Sequence, residues 1–423
     1  MFGKPFHIGK ANACHGTCLQ RTNKVIHMKR IQQRHILEKY GTNLFNCVVN
    51  LYFDYAATSK MEDEAIGEYV KTARDYPGNP SAGHALGKKA KEKLEDERCR
   101  ISSVLGVGSE EVVFTSGGSE SISLVFQDLL WNVRPGSVII GRLEHEAVSS
   151  FAPLLKEKGW RVNYIKPDRD GKYDTELLSS MIDRETKLIA IQSVNNVLGL
   201  VTNTKEIADV VRKAEEREKR NMFFFSDSVQ AIGKVDFPLH EEGVDGASFS
   251  AHKIGGPRGT GFLYVRKGKS LRPVASQGGQ ERKIRGGTEN LPGVSAMRKA
   301  LEIAFENRKE KEEKVRKLNA KLREGLEKAG IRIFSPVSAS PFVISIASPL
   351  PSEVAVRMLS DKGIYVSAGS ACSENRKGEA MEILTSYGIR KDEAMRAIRI
   401  SISEKHTEED ITKLVDEITK LGA

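Results

Sequence analysis

The sequence predicts an α/β fold: a large domain on a mainly parallel, mixed sheet flanked by helices, followed by a smaller C-terminal α/β domain. Three observations carry this. Short, continuously apolar runs recur from Leu51 onward, helix-length amphipathic stretches separate most of them, and near residue 293 the pattern gives way to a long charged segment. Strands covered on both faces read as unbroken apolar runs, and the helices between them serve as crossovers.

The elements follow in order. Strands are predicted at 112–115, 137–140, 162–165, 188–194, 222–227, 247–250 and 261–265, with helices such as 205–220 between them. A single charged helix over 297–330 is expected to be a solvated connection rather than a coiled coil. This gives three segments: a basic N-terminal extension (1–50), a large domain (51–296) and a small domain (297–423).

The extension accounts for most of the charge. Of the formal net charge of +10, residues 1–50 hold Lys4, Lys10, Arg21, Lys24, Lys29, Arg30, Arg34 and Lys39 against Glu38 alone. The body is close to balanced, so it offers no broad basic footprint for a nucleic acid, and no nucleic-acid partner is expected. The extension reads as a flexible tail; a targeting peptide or a start at Met28 would give the same composition. Its "CHGTC" (14–18) lacks a second Cys/His pair at ligand spacing, so no metal site is expected.

Five cysteines (Cys14, Cys18, Cys47, Cys99, Cys372), odd in number and irregularly spaced, argue against a disulfide framework and for a reducing, cytoplasmic setting. No run of eighteen apolar residues exists, so no membrane span is expected. Cys372 is singular because it lies in "SAGSACSENRKG" (367–378), a stretch of small, polar and charged residues where a thiol is a liability unless its reactivity is used.

Polar residues collect where predicted strands end. "VVFTSGGSES" is a strand, a glycine turn and a helix start, in which Gly117 and Gly118 let the backbone approach a ligand and Ser119 and Ser121 open a helix whose free N–H groups favour an anion. "MFFFSDSVQAIGK" closes an apolar strand with Asp227, followed by Gln230; a buried acid there needs a cationic partner. "ASFSAHKIGGPRG" holds Lys253 beside His252 and a glycine-rich turn, where desolvation would free the amine. Amine, acid and anion-binding helix start form the set that pyridoxal phosphate requires.

These segments, with "YFDYAAT" (52–58), "YPGNPSAGHALG" (76–87), "EHEAV" (144–148), "VNNVLG" (194–199), "RGGTENLPG" (285–293), "SAGSACS" (367–373) and "IRIS" (398–401), resemble the cysteine desulfurases, class-V aminotransferase-like enzymes of pyridoxal phosphate with fold type I. The likeness runs in family order over roughly 52–410. It implies that Lys253 joins the cofactor aldehyde, Asp227 partners the pyridinium nitrogen and His145 stacks on the ring and moves protons. Gln230 and Asn196 would contact the phenolic-oxygen side or the substrate, and Gly118, Ser119, Ser250 and His252 would cradle the phosphate. Thr288 would reach the phosphate of a neighbouring subunit, implying a homodimer with shared active sites. Arg399 would hold the substrate carboxylate. Ser119 stands where many members have Thr, Val197 where an acid is common, and Ser403 where a glycine is common.

The activity so implied converts L-cysteine to L-alanine, with sulfur passing to Cys372 as a persulfide and on to an iron–sulfur scaffold or a thiolation enzyme for tRNA or a cofactor. A selenocysteine lyase would share the same cofactor chemistry. A scaffold or carrier acting through the basic extension is the alternative of another class.

Overall fold

The computed structural model describes residues 50–275, 278–369 and 379–422. Most of the N-terminal extension and Cys372 lie outside these residues. β1 (Leu51–Tyr52) precedes the large sheet, which consists of β2 (Val112–Thr115), β3 (Ser137–Gly141), β4 (Arg161–Ile165), β5 (Thr186–Ala190), β6 (Phe223–Asp227), β7 (Gly246–Ser250) and β8 (Gly261–Val265). Their order is β2-β8-β7-β6-β5-β3-β4, and β8 alone runs against its neighbours. The sheet is therefore mixed and mainly parallel, with all seven strands at the expected places. The run 188–194 is shorter as a strand than its apolarity suggested: it ends at Ala190, and Val194 makes only an isolated bridge to Val201.

Alternate residues along each strand feed two different cores. Phe114, Ile139, Ile189, Phe224, Ala247 and Phe249 belong to one, with Ile101, Val211 and Met297 from helices on that face. Val113, Val138, Ile140, Leu188 and Phe225 belong to the other, with Phe126 and Leu155. A period of two places successive side chains on opposite faces, so a strand buried on both must be apolar throughout. Burying each such phenylalanine stabilises the fold by about 1.5–3 kcal/mol.

The charged segment beyond residue 293 differs from the expectation in two ways. It is not one helix but two, Leu291–Phe305 and Arg308–Lys328, separated by Asn307 at φ +51. A residue in the left-handed region cannot continue a right-handed ladder, and asparagine is among the few non-glycine residues that adopt it readily. Nor is the second helix a solvated connection. Val315, Leu318, Leu322 and Leu326 line one face of it and are buried. They meet Ile411, Leu414 and Ile418 of the final helix Glu408–Lys420 in a core of their own.

That third core carries the remaining strands, β9 (Val343–Ala347), β10 (Ile364–Tyr365), β11 (Ser367–Ala368) and β12 (Ala397–Ser401). β11, β12 and β9 form an antiparallel sheet, while β10 pairs in parallel with β1. Leu51, Phe53 and Ala56 join this core although they precede the large sheet in sequence. Segment 51–57 thus runs from the small sheet to the ends of the large one. Among the described residues, no helix is long and apolar enough to cross a membrane.

Candidate active site

A cavity of about 410 Å³ opens at the C-terminal ends of the parallel strands, where open α/β sheets place their ligands. Gly118, Ser119, His145, Asn196, Asp227, Gln230, Ser250, His252, Lys253 and Arg399 all line it. Ten residues spread over 282 positions of sequence thus meet because β2, β3, β5, β6 and β7 end at the same edge of the sheet, and β12 supplies the last. Thr288 is exposed and lies elsewhere, its Oγ1 3.5 Å from Asn79 Nδ2.

Lys253 closes a short 3-10 turn directly after β7. Its Nζ donates to the carbonyls of Ala56 (2.6 Å) and Ala57 (2.9 Å). Burial disfavours its charge, and the nearby Arg399 guanidinium adds to the effect, bringing the amine down to about 8. An ordinary lysine titrates near 10.4, so this one supplies far more free amine at neutral pH.

Asp227 is the last residue of β6 and is 9% exposed. Its Oδ1 accepts from the Val229 amide (3.1 Å) and from Ser248 Oγ (2.9 Å). These two donors fix the carboxylate while leaving its other oxygen unassigned to them.

The turn after β2 is built for close approach. Gly117 adopts φ +148, a Cβ there would lie 3.3 Å from Ser250 Oγ, and a Cβ on Gly118 would lie 2.6 Å from Val229 Cγ2. Gly118 donates its amide to Ser250 Oγ (2.7 Å) at the start of the helix Gly118–Asn132. His252 stands beside it, with Nδ1 3.2 Å from Thr58 Oγ1. Burial, then the charges of Lys253 and Arg258, depress its imidazole to about 4, so it is neutral at physiological pH.

His145 caps the short helix Glu146–Ser149, and its Nδ1 accepts from the Ala147 amide (3.0 Å). With Nδ1 occupied as acceptor, the neutral ring carries its proton on Nε2, which lies 3.7 Å from Glu379 Oε1. Arg399 projects from β12, opposite Ser367 in the register with β11. Its Nη2 donates to Asp54 Oδ1 (3.0 Å) and Ser367 Oγ (3.0 Å), and Nη1 to the Asn196 carbonyl (3.0 Å). Among the described residues, buried Arg399 Nε and Asn196 Oδ1 have no hydrogen-bond partner.

Sequence reasoning missed Asp54, Arg258 and Glu379. Asp54 lay inside the motif "YFDYAAT" and Arg258 inside "GGPRG", yet neither has a spacing relation to the residue it serves. Glu379 had no local signal. Glu144 was also passed over: it is 3% exposed, accepts from the Gln192 amide (2.7 Å), and burial pushes its carboxyl well above the usual range.

The fold and cavity define a class, and the comparisons agree: residues 51–414 match the family described as Aminotransferase class-V. Among curated proteins, the chain is 35% identical over 372 residues to a NifS/IcsS protein homolog of Lactobacillus delbrueckii, covering 86% of this chain and 95% of that relative. It is 32% identical over 379 residues to the cysteine desulfurase IscS of Clostridium botulinum, covering 88% and 94%. Among solved structures, a NifS-like protein superposes with TM-score 0.81 at 34% identity, covering 88% of this chain and 99% of that one. A structure described as SspA in complex with cysteine gives TM-score 0.70 at 29% identity, covering 84% and 100%. The chain belongs to the cysteine desulfurases of the class-V aminotransferase family. That membership implies pyridoxal phosphate as the cofactor and a fold of type I.

Proposed function

We propose that the chain converts L-cysteine to L-alanine using pyridoxal phosphate, with Cys372 receiving the sulfur as a persulfide. The observation that carries the reading is the convergence of a burial-depressed Lys253 amine, the Asp227 carboxylate and the Arg399 guanidinium on one cavity.

The residues fit the cofactor on structural grounds. The Gly117–Gly118 turn leaves a cradle that any Cβ would narrow, and Arg399 Nε and Asn196 Oδ1 await partners. Ser119, Ser250, His252 and the Gly118 turn would hold the phosphate, Asp227 the ring nitrogen, and His145, Gln230 and Asn196 the ring and its substituents. When bound, pyridoxal phosphate supplies an electron-withdrawing ring that stabilises negative charge at the substrate's α-carbon.

The chain's own residues do the rest. Arg399 binds the substrate carboxylate through its planar fork, fixing which bond at the α-carbon faces Lys253. Asp227, held in place by the Val229 amide and Ser248 Oγ, would face the ring nitrogen and hold a proton there. Lys253, whose amine loses its proton more readily than an ordinary lysine's, takes and returns the α-proton. His145, with its proton on Nε2 at the cavity wall, donates or accepts at the leaving side. Cys372 as thiolate attacks the substrate sulfur, and a sulfur–sulfur bond forms as the carbon–sulfur bond breaks. An acceptor (an iron–sulfur scaffold or a thiolation enzyme) then takes the outer sulfur. The exposed position of Thr288 supports a homodimer in which it serves the neighbouring site, and sparse, irregular cysteines support a cytoplasmic setting.

The deciding experiment is mass spectrometry after treating the cofactor-loaded protein with L-cysteine. The expected result is one added sulfur on the peptide bearing Cys372, with alanine as co-product. Alanine formed while that peptide stays unmodified in every time point would overturn the assignment of Cys372.

A further inference from the structure

A second lysine lies close to the first. Lys234 is 8% exposed, and it lines with Lys253 a second cavity of about 70 Å³ that also includes Tyr55, Glu62, Ser403 and Glu404. It follows Gly233, which adopts φ +68 and packs so tightly that a Cβ would lie 2.7 Å from Ala304 Cβ. Glycine at 233 lets the turn after Asp227 bring the next side chain inside, against the strong tendency of lysine to stay in water.

The reason for burying it is visible in its partners. Lys234 Nζ donates to Gln230 Oε1 (2.9 Å), Gln230 Nε2 donates to the Ala56 carbonyl (2.9 Å), and Lys253 Nζ donates to that same carbonyl (2.6 Å). An amide has two ends of nearly equal shape, and its partners decide which is which. While Lys234 is charged it can only donate, so a flipped Gln230 would set its NH2 against the ammonium and its oxygen against the Ala56 oxygen, losing two hydrogen bonds. Held as it is, Gln230 spends one N–H on Ala56 and keeps the other for the main cavity, which it also lines.

We propose that Lys234 is a positioning residue for the reaction: it locks Gln230 as a hydrogen-bond donor to the cofactor and ties it to the carbonyl that holds Lys253. The proposal rests on the pyridoxal phosphate reading above. Charge adds to geometry. Among the described residues, no carboxylate forms an ion pair with Lys234; Glu404 favours its charge from a distance, while Lys253 and Arg399 oppose it. Tyr55, Glu62, Lys311 and Lys405 complete the groups facing the second cavity. Burial above all brings the Lys234 amine down to about 7.

The test uses the full chain loaded with pyridoxal phosphate, reading the cofactor dissociation constant and the pH midpoint of its visible band. Lys234→Met should weaken cofactor binding about five- to tenfold and move that midpoint upward, because the phenolic-oxygen side of the cofactor loses a hydrogen-bond donor that opposes protonation there. In a Gln230→Ala background the same substitution should change cofactor binding less than about twofold, since the amide it positions is absent. Where Lys234→Met does not fold, Lys234→Gln is read the same way. Equal losses of binding in both backgrounds, or an unchanged constant and midpoint in the single variant, overturn the proposal. A wild-type protein that takes up no pyridoxal phosphate overturns the cofactor reading with it; a normal wild-type band that Lys234→Met leaves unmoved overturns this inference alone.

Discussion

Arg399 Nη2 donates to Asp54 Oδ1 across 3.0 Å, joining β12 of the small sheet to the segment that leads from β1 toward the large one. Asp54 also accepts from Ser367 Oγ (2.7 Å), which itself accepts from Arg399. The guanidinium is therefore held in the cavity lining by hydrogen bonds before any substrate arrives. A carboxylate entering the site meets a cation already oriented, whose Nε has no partner among the described residues.

Replacing this fork should damage binding more than chemistry. Arg399→Lys keeps the charge but loses the planar, two-pronged donor. Losing a charge-assisted hydrogen bond costs about 1.5–3 kcal/mol, or roughly 10- to 150-fold in kcat/KM, with the rise falling mainly on KM. Steady-state kinetics with L-cysteine, beside the absorbance of the bound cofactor, checks this; an unchanged KM would exclude the role.

The depressed Lys253 amine sets a pH dependence. With its titration at about 8, the protein holds roughly 300-fold more neutral amine at pH 7 than a lysine left at 10.5 would. Uptake of pyridoxal phosphate by the cofactor-free protein should quicken as pH rises from 6.5 and level off above about 8. Stopped-flow absorbance measures it. Arg399→Gln should move that midpoint upward, because a repelling cation is removed, while Lys253→Ala should abolish the visible band altogether.

His252 makes stability pH-dependent on the acid side. Its folded titration, at about 4, lies below the 6.5 of an unfolded chain. Between those values the unfolded state binds the proton that the folded state refuses, so stability rises with pH across the window and is lost as pH falls through it. Urea midpoints measured from pH 7 to pH 4 should fall less in a His252→Gln variant than in the wild type.

Cys372→Ala separates cofactor chemistry from sulfur transfer. The variant should bind pyridoxal phosphate with the wild-type spectrum and release sulfide from cysteine at least 100-fold more slowly, since the nucleophile is gone. Sulfide assays check it, and wild-type turnover would remove Cys372 from the mechanism.

A structural ion pair offers a test of the scaffold alone. Glu281 accepts from both Arg98 nitrogens (2.8 and 2.7 Å) and from the Phe114 amide (2.7 Å), all out of solvent. Glu281→Ala would leave the buried Arg98 guanidinium with the more exposed Glu95 as its carboxylate partner and should cost about 1–3 kcal/mol in denaturant unfolding. The pair ties β2, which leads into the Gly117 turn, to the segment before Thr288.

Much of the site was legible in the sequence because local chemistry announces itself. Asp227 ends an apolar run, Lys253 precedes a glycine-rich turn, and Gly118 opens a helix; each follows from what strands and helix starts permit nearby. Lys234 gave no such signal. A lysine after "AIG" reads as a surface residue, and only the packing of Gly233 against Ala304 turns it inward. The break at Asn307 was likewise hidden, since a charged stretch of good helix formers conceals a single left-handed residue.

By itself, then, the sequence determined the strands, their order along the chain, the chemical set at their ends and the family likeness, because apolar period and turn chemistry are local properties. The tertiary structure decided who meets whom. It brought Asp54 to Arg399, Glu379 to His145, and Lys234 through Gln230 to Lys253. Asp54, Ala56 and Glu379 reach these partners from far along the chain, and close packing of the cores fixes them, which no spacing along the chain records.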